Sequence, residues 1–320
     1  MKKAKPVLIL IVKLVVSTGL LVYLLSRIHI ERFWDTLASA NYSYIALALI
    51  VYLFTQSIST LRWALLARPM GFATSFKDIL GYYLIGMFFN LFAPGTVGGD
   101  VSRVYYLARD GDQGASHGWA RSTLPAAVSV FMDRAVGMVV LVWLGALGLA
   151  LFPGYEVPQI VRYVTYALAL AFVVAGLCVP LLRRVLPEDG HPFVVKMRLA
   201  LRSYRARWQV IPQAMILSLA IHLVQAWVHL ILGRAIQIDI PFSYCLILYP
   251  LVGTFAAIPI SLNGIGLREG GYVVLLGVIG VNSTQGVAFG LLLFGVVVLD
   301  SLLGGLVFLL KKGPRPSAAA

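Results

Sequence analysis

Charged residues, and acidic residues above all, are scarce in this sequence of 320 residues. Only 12% of the residues are charged and 13 are Asp or Glu, whereas 60% are hydrophobic. The mean hydropathy is +0.88. So little polar surface cannot coat a soluble globule. Several apolar runs reach the roughly 20 residues that cross a bilayer as a helix, so the composition predicts an α-helical integral membrane protein.

Cysteine is also scarce, and the common catalytic motifs are missing. Cys178 and Cys245 lie in separate apolar segments without a Cys-x-x-Cys motif or a Cys/His cluster. We interpret both as small core residues and not as a disulfide or a metal site. The sequence has no phosphate-binding loop, zinc-protease motif or nucleophile elbow. It therefore predicts neither an enzyme nor a cofactor, and ATP-driven transport would require a partner protein.

The net charge of +13 does not indicate nucleic-acid binding, because Lys and Arg gather at the ends of apolar runs. This is the positive-inside pattern. It assigns the start of the chain, the basic segment 183–208 and the region after 310 to the cytoplasm. The stretch 7–26 is too long for a typical signal-peptide core and is interpreted as a retained first span. We expect a multi-pass protein of a prokaryotic cytoplasmic (inner) membrane with both termini in the cytoplasm.

Six apolar stretches predict full transmembrane helices, near residues 7–26, 44–66, 124–152, 160–182, 210–236 and 284–310. Two further stretches, 79–110 and 243–282, each have an apolar arm, a Gly-rich polar centre and a short second arm. The charge pattern is satisfied only if both return to the side from which they came. The expected fold is one all-α polytopic membrane domain over 1–312, with about six full spans, two re-entrant broken-helix hairpins and a disordered tail at 313–320.

The two re-entrant stretches share a residue spacing and are expected to enter from opposite sides. The same three residue types recur at relative positions 0, +5 and +9 in both: Pro94, Gly99 and Arg103, then Pro259, Gly264 and Arg268. Spacing and orientation together resemble the inverted repeats of secondary transporters. Non-helical backbone at membrane depth is tolerated only inside protein or around water, so the hairpins predict a polar intramembrane cavity.

Charged residues in the first hairpin are candidates for substrate binding. Gly98 and Gly99 allow a tight turn, and Asp100 is expected to cap a helix that begins near Val101. Arg103 follows one turn later. An arginine at membrane depth costs several kcal/mol unless it is paired or hydrated, so it is a functional candidate by default.

The other deep charges lie in the second hairpin and in the span 124–152. Arg268 and Glu269 are about 100° apart on a helix, so each is expected to pair with some other residue. Asp133 and Arg134 lie about 15 Å inside their span at 1.5 Å per residue. The expected pairs join Arg134 to Asp100 or Glu269, and Asp133 to Arg103 or Arg268. Ion pairs that only pin the hairpins together are the alternative to a substrate site.

Further polar candidates lie in the spans and in the second Gly-rich centre: Arg62 near a span edge, Asn263, Asp300, and the pair His222 and Gln225 on one helix face. Asp300 is expected to pair with Lys or Arg. The face that carries His222 could form interhelical hydrogen bonds or line a cavity, and both interpretations stay open. A metal site is not expected there. A modest arginine excess with helix N-termini pointing into a cavity would suit an anion such as a phosphate group.

Four segments resemble the family of the lysylphosphatidylglycerol synthase transmembrane region, also called flippase-like or UPF0104 membrane proteins: 61-LRW-63, 90-NLFAPGTVGGDVSR-103, 132-MDR-134 and 259-PISLNGIGLREGG-271. The resemblance covers nearly the whole chain. It implies a polytopic fold that moves a lipid or its headgroup between leaflets. It also implies that Arg103, Asp133 and Arg268 correspond to the family's flippase-site residues, although the family more often has Glu where Asp133 stands.

The best-known members of this family carry a fused C-terminal aminoacyl transferase that makes the lipid. No such domain follows the last apolar run here, so the resemblance carries no expectation of synthase activity. The sequence predicts a lipid flippase or related transporter in which Arg103 and Arg268 contact the phosphate. Asp133 and Glu269 would balance these arginines or receive a cationic headgroup.

Three alternatives remain open from the sequence. The protein could be a secondary transporter of a small soluble anion, a non-catalytic membrane scaffold for a glycolipid or isoprenoid pathway, or an enzyme acting on a polyprenyl phosphate. The expected partners are a membrane lipid and a pathway enzyme or energising protein, with oligomerisation open.

Overall fold

The computed structural model describes residues 15, 17–20, 22–24, 26, 29–92, 97–113, 119–185, 202–258, 261 and 264–311. All regular structure within these ranges is helical. The helices are α1 (Ile30–Ala38), α2 (Tyr42–Ala67), α3 (Phe76–Phe92), α4 (Val97–Gln113), α5 (Trp119–Leu151), α6 (Gln159–Val185), α7 (Val210–Ala235), α8 (Phe242–Ala256), α9 (Leu267–Gly277) and α10 (Ser283–Leu310), with a 3₁₀ turn at Arg68–Met70. The predicted all-α class is confirmed.

Five helical stretches are long and apolar enough to cross a membrane: Tyr42–Met70, Ser122–Leu151, Gln159–Cys178, Val210–Ala235 and Ser283–Leu310. They match five of the six predicted spans. The predicted span 7–26 lies mainly outside the described residues, and the tail 313–320 lies wholly outside them. Cys245 is buried as expected, whereas Cys178 is exposed on α6, so its interpretation as a core residue is wrong.

Asparagines begin two of the spanning helices. The Asn41 side chain accepts a hydrogen bond from Ser43 N at 3.0 Å at the start of α2. Asn282 does the same for Gln285 N at 2.9 Å at the start of α10. Each satisfies one of the N–H groups that the first turn of a helix leaves unpaired.

The first Gly-rich stretch forms an antiparallel hairpin of α3 and α4. Thr74 Oγ1 donates to Asp110 Oδ2 at 2.7 Å and joins the two outer ends. Near the tip, Asn90 Oδ1 accepts from Gly99 N at 2.8 Å. A Cβ at Gly99 would lie 2.1 Å from the Gly86 carbonyl oxygen, so the two arms approach this closely only because Gly99 has no side chain. Both outer ends therefore lie at the same end of the bundle.

The second Gly-rich stretch forms a shorter antiparallel hairpin of α8 and α9. The Tyr244 hydroxyl donates to the Leu275 carbonyl and joins the outer ends. Gly264 and Gly266 have φ of +75° and +84° at the tip, where a residue with a side chain would be strained. Asn263 lies outside the described residues.

Helix α10 packs against both hairpins, one on each half. A Cβ at Gly286 would lie 2.9 Å from Val273 Cα on α9, and a Cβ at Gly304 would lie 2.0 Å from the Leu84 carbonyl oxygen on α3. At the C-terminal end of α10, Lys311 Nζ lies 3.0 Å from Asp78 Oδ1 at the base of the first hairpin. The bases of the hairpins therefore lie at opposite ends of α10, and their tips point towards its middle.

Helices α2 and α7 pack side by side along their length. At one end Asn41 N donates to the Ala235 carbonyl at 2.8 Å, and further along Gln225 Nε2 donates to Thr55 Oγ1 at 3.1 Å. At the other end the Tyr204 hydroxyl, which precedes α7, donates to the Leu66 carbonyl at 2.8 Å. This α2–α7 seam forms one wall of the polar site.

Candidate functional site

A buried carboxylate bridges two arginines inside the bundle. Asp133 on α5 accepts from Arg62 Nε at 2.8 Å through Oδ1 and from Arg103 Nη2 at 2.7 Å through Oδ2. The three side chains are 2%, 8% and 7% exposed, respectively. The predicted pairing of Asp133 with Arg103 is confirmed, and Arg62, expected near a span edge, is buried in the same triad.

Aromatic rings and a hydroxyl surround the guanidinium groups of this triad. The Arg103 guanidinium carbon lies 4.1 Å from the Trp63 ring centroid and 4.7 Å from that of Tyr83. Such stacking suits the flat guanidinium of arginine better than the ammonium of lysine. Arg62 Nη1 donates to Ser218 Oγ on α7 at 2.9 Å. The triad therefore ties the first hairpin to three spanning helices: α2, α5 and α7.

Asp100 forms a second ion pair beside the triad. Helix α4 begins at Val97, so Asp100 lies inside the first turn, and the predicted N-cap role is wrong. Asn90 on the facing arm already accepts a first-turn N–H. Asp100 instead pairs with Arg134 Nε and lies 3.8 Å from Arg103 Nη1. The Asp100 and Arg134 side chains are 24% and 39% exposed, so this pair is open on one side.

The second hairpin carries an ion pair at its own tip. Arg268 donates to Glu269 Oε1 from Nη2 at 2.5 Å and from Nε at 3.1 Å. The expectation that these two residues pair elsewhere is wrong. Glu269 Oε2 accepts from Gly266 N at 2.7 Å, so the carboxylate folds back over the first turn of α9, where the neighbouring guanidinium reaches it. The Arg268 side chain is 13% exposed.

His222 and Gln225 lie together on a packed face of α7. His222 Nδ1 lies 2.9 Å from the Tyr249 hydroxyl and Nε2 2.9 Å from the Gly137 carbonyl, while Gln225 donates to Thr55. These contacts match the interpretation as interhelical hydrogen bonds. Within the described ranges, no group of three or more His, Cys, Asp or Glu could hold a metal ion.

Asp300 is buried on α10 between the contact points of the two hairpins. Gln56 Nε2 donates to its Oδ2 at 3.1 Å, and its Oδ1 has no hydrogen-bond partner among the described residues. The expected pairing with Lys or Arg is therefore wrong for the part of the chain that the structure describes. An ionised carboxylate at this depth without a cation costs several kcal/mol.

Tyrosines lie between the two arginine groups. Tyr52 is within electrostatic reach of Asp300 and Arg268, and Tyr249 is within reach of Arg62. Both side chains are partly buried.

Four arginines and three carboxylates make up these pairs: Arg62, Arg103, Arg134 and Arg268 against Asp100, Asp133 and Glu269. Within the described residues, these pairs therefore hold one more guanidinium group than carboxylate groups. The triad is closed, because both of its arginines are buried and paired. Arg134 and Arg268 keep larger exposed fractions, 39% and 13% of the side chain.

The structure thus brings five of the predicted residues together at the first hairpin and two at the second. Substrate binding by these residues, and by Asn263 outside the described residues, stays a prediction.

The sequence analysis missed four neighbours of the charges: Gln56, Trp63, Tyr83 and Ser218. A signal was present on α2, where Thr55, Gln56, Ser59 and Thr60 are all buried, because a run of buried polar residues in a span indicates a polar interior.

Comparison with known proteins agrees with the family resemblance of the sequence. The family profile described as "Lysylphosphatidylglycerol synthase TM region" matches residues 10–304. A UPF0104 membrane protein of Methanocaldococcus jannaschii is 28% identical over 97 residues. That similarity covers 30% of this chain and 29% of the relative's length.

Proposed function

The chain belongs to the lysylphosphatidylglycerol synthase TM region family, and from this membership we propose that it moves a phospholipid, or a related lipid headgroup, between the leaflets of a membrane. The acyl chains stay in the bilayer while the headgroup passes through the polar interior. The proposal includes no chemical step and no cofactor.

The observation that carries the proposal is the opposed placement of two hairpins, each with an arginine–carboxylate pair near its tip. The Arg103 and Arg268 side chains lie on different hairpins whose bases are at opposite ends of α10. Because α10 is long enough to span a bilayer, each hairpin would enter from one side and return to it. A headgroup could then pass from one tip to the other near the middle of the membrane.

The distribution of charge supports one orientation of this arrangement. Basic side chains lie at the end of the bundle that holds the base of the first hairpin, among them Lys77, Arg207 and Lys311. At the opposite end, exposed Glu156 and Asp239 offset Arg162 and Arg234. Under the positive-inside rule the first hairpin enters from the cytoplasm of a prokaryotic inner membrane and the second from the outside.

Carboxylates keep the arginines paired until a headgroup arrives. A phosphate oxygen can replace a carboxylate oxygen on a guanidinium, because both form bidentate charge-assisted hydrogen bonds. Arg134 and Arg268 are the first contacts, since their side chains are partly exposed. Arg103 can contact a headgroup only after Asp133 or the hairpin moves. Lipid exchange between leaflets is therefore coupled to a conformational change at the triad.

The closed triad, taken alone, favours a second candidate function. Arg62, Asp133 and Arg103 are buried and mutually paired, as expected of ion pairs that only hold helices together in a non-catalytic membrane scaffold. The partial exposure of Arg134 and Arg268, together with the family membership, favours transport.

Leaflet exchange of labelled lipids in proteoliposomes tests the proposal. Anionic, zwitterionic and cationic headgroups are compared for the wild type, Arg103→Ala and Arg268→Ala, with Arg205→Ala as a control because Arg205 is exposed and outside the site. We expect Arg268→Ala to slow exchange on the order of tenfold, from the loss of a charge-assisted contact, and the control to match wild type. A folded wild type that exchanges no lipid would instead support the scaffold or a soluble-anion transporter.

A further inference from the structure

A groove of about 710 Å³ lies outside the charged cluster, at the basic end of the bundle. Its walls come from α2, the turn and loop that follow it, the start of α3, and α7. The lining is mostly apolar, with two arginines; the residues used below are Leu61, Leu65, Phe72, Leu217, Arg68 and Arg207. The volume is in the range of sites that enclose small-molecule ligands.

The groove is apolar at one end and basic at the other. Leu61, Leu65 and Arg68 recur at i, i+4 and i+7, so they lie on one face of the helical stretch Tyr42–Met70. At 1.5 Å per residue, Arg68 lies about 10 Å nearer the end of this stretch than Leu61. In a membrane the leucines therefore contact the acyl region, while Arg68 reaches the level of the lipid phosphates.

The second arginine is held at the same mouth by contacts from another segment. Arg207 Nη1 donates to the Arg68 carbonyl at 3.2 Å, and Tyr204 anchors this segment to the Leu66 carbonyl. Both arginines are exposed. Within the described ranges, neither Arg68 nor Arg207 forms an ion pair with a carboxylate.

We propose that this groove binds an anionic phospholipid, with an acyl chain along Leu61, Leu65 and Phe72 and the phosphate at Arg68 and Arg207. Two unpaired guanidinium groups at the mouth suit an anionic headgroup. The apolar interior of the groove does not stabilise free phosphate, whereas it can pack against a hydrocarbon chain. This binding site goes beyond the proposed transfer of headgroups and does not depend on it.

The groove lies on the outer side of the α2–α7 seam, with the charged triad on the inner side. Leu61 lines the groove and Arg62 belongs to the triad; Leu217 lines the groove and Ser218 accepts from Arg62. A bound lipid therefore contacts the outside of the same two helices that hold the triad, one residue away on each helix.

Lipid binding to the delipidated full chain in detergent tests the inference, with native mass spectrometry as the readout. The probes are dioleoylphosphatidylglycerol, dioleoylphosphatidylcholine, dioleoylglycerol and inorganic phosphate. The variants are Arg68→Gln/Arg207→Gln, which removes the charge, and Ala73→Phe, which fills the groove from an exposed lining position. Arg205→Gln is the matched control, because Arg205 is exposed on the same segment but does not line the groove.

We expect phosphatidylglycerol to bind more tightly than the other three probes. The double variant should weaken its binding roughly thirtyfold, since each of the two basic residues contributes roughly 1 kcal/mol near a lipid surface and about 1.4 kcal/mol is a factor of ten. Ala73→Phe should weaken binding without a change in charge. The inference is overturned if both variants bind as wild type, if Arg205→Gln weakens binding as much as the double variant, or if inorganic phosphate competes as well as the lipid. Leaflet exchange by the same variants is measured in a separate assay. A negative transport result would therefore not change the conclusion about lipid binding in the groove.

Discussion

Arg103 on the first hairpin and Asp133 on the spanning helix α5 are joined at 2.7 Å in a part of the protein that solvent barely reaches. The contact holds the hairpin in place, and it also occupies the arginine predicted to bind a headgroup. Transport through this site therefore requires the contact to break, whereas a scaffold would require it to persist.

Replacing Asp133 with Asn should destabilise the protein strongly. Arg62 and Arg103 would keep their charges but lose their common carboxylate, and breaking a buried ion pair by removing one partner costs about 3–5 kcal/mol. Unfolding in detergent micelles measures the loss. If Asp133→Asn unfolds as the wild type does, the triad carries less of the stability than its geometry indicates.

Replacing Asp300 with Asn should destabilise the protein by less than the roughly 3–5 kcal/mol expected for Asp133→Asn. The amide has the shape of the carboxyl group and keeps an oxygen for Gln56, and no described cation loses a partner. The same unfolding assay applies, with Asp133→Asn as the contrast. A loss as large as that of Asp133→Asn would mean that Asp300 is ionised and paired with a cation outside the described residues.

Replacing Gly304 with Ala should separate α10 from the first hairpin. A Cβ there would lie 2.0 Å from the Leu84 carbonyl oxygen, so backbone must move. We expect a loss of about 1–3 kcal/mol, as for other overpacked sites. Gly295→Ala on the same helix is the matched control, because nothing lies within 4 Å of its added Cβ. The control should be neutral or more stable by up to about 1 kcal/mol, and equal losses in both variants would contradict the packing.

Cysteine labelling in intact cells tests the opposite orientation of the hairpins. In a Cys178→Ala background, Ser75→Cys marks the base of the first hairpin, and Asp239→Cys and Ser283→Cys flank the second. All three positions are exposed. A membrane-impermeant maleimide added from outside should label Asp239→Cys and Ser283→Cys, but label Ser75→Cys only after lysis. Labelling of all three from outside would exclude the proposed topology.

The length of the apolar runs was enough to predict the all-helical class and five candidate spans. Apolar runs specify spanning helices because each must satisfy its own backbone within the bilayer, and five of the predicted spans match. The Gly-rich centres of the hairpins could be found because glycine alone accepts such close backbone contacts, as at Gly99. The bounds were less accurate: α4 already includes Val97, and Asn90 on the facing arm accepts from the Gly99 N–H in its first turn.

The pairing of charges could be predicted only in part. Counting buried charges gave two of the observed pairs, Asp133 with Arg103 and Arg134 with Asp100, each as one of two alternatives. The Arg268–Glu269 pair was missed because the angular argument assumes that both side chains point outwards, whereas Glu269 folds back to cap its helix. Arg62 was placed too near a span edge, because the helical stretch continues to Met70.

The support that α10 gives to both hairpins has a consequence for biosynthesis. Asp133 is synthesised 30 residues after Arg103, so the charge of the first hairpin can be paired soon after it leaves the ribosome. The contact between the base of the first hairpin and α10 forms much later, because Lys311 is 233 residues beyond Asp78. At the 5–20 residues per second typical of translation, roughly ten seconds or more pass before α10 is available to contact the hairpin. During that interval the face of the hairpin around Leu84 and Phe88, which later contacts Gly304 and Gly305 on α10, has to be covered by lipid or by the insertion machinery.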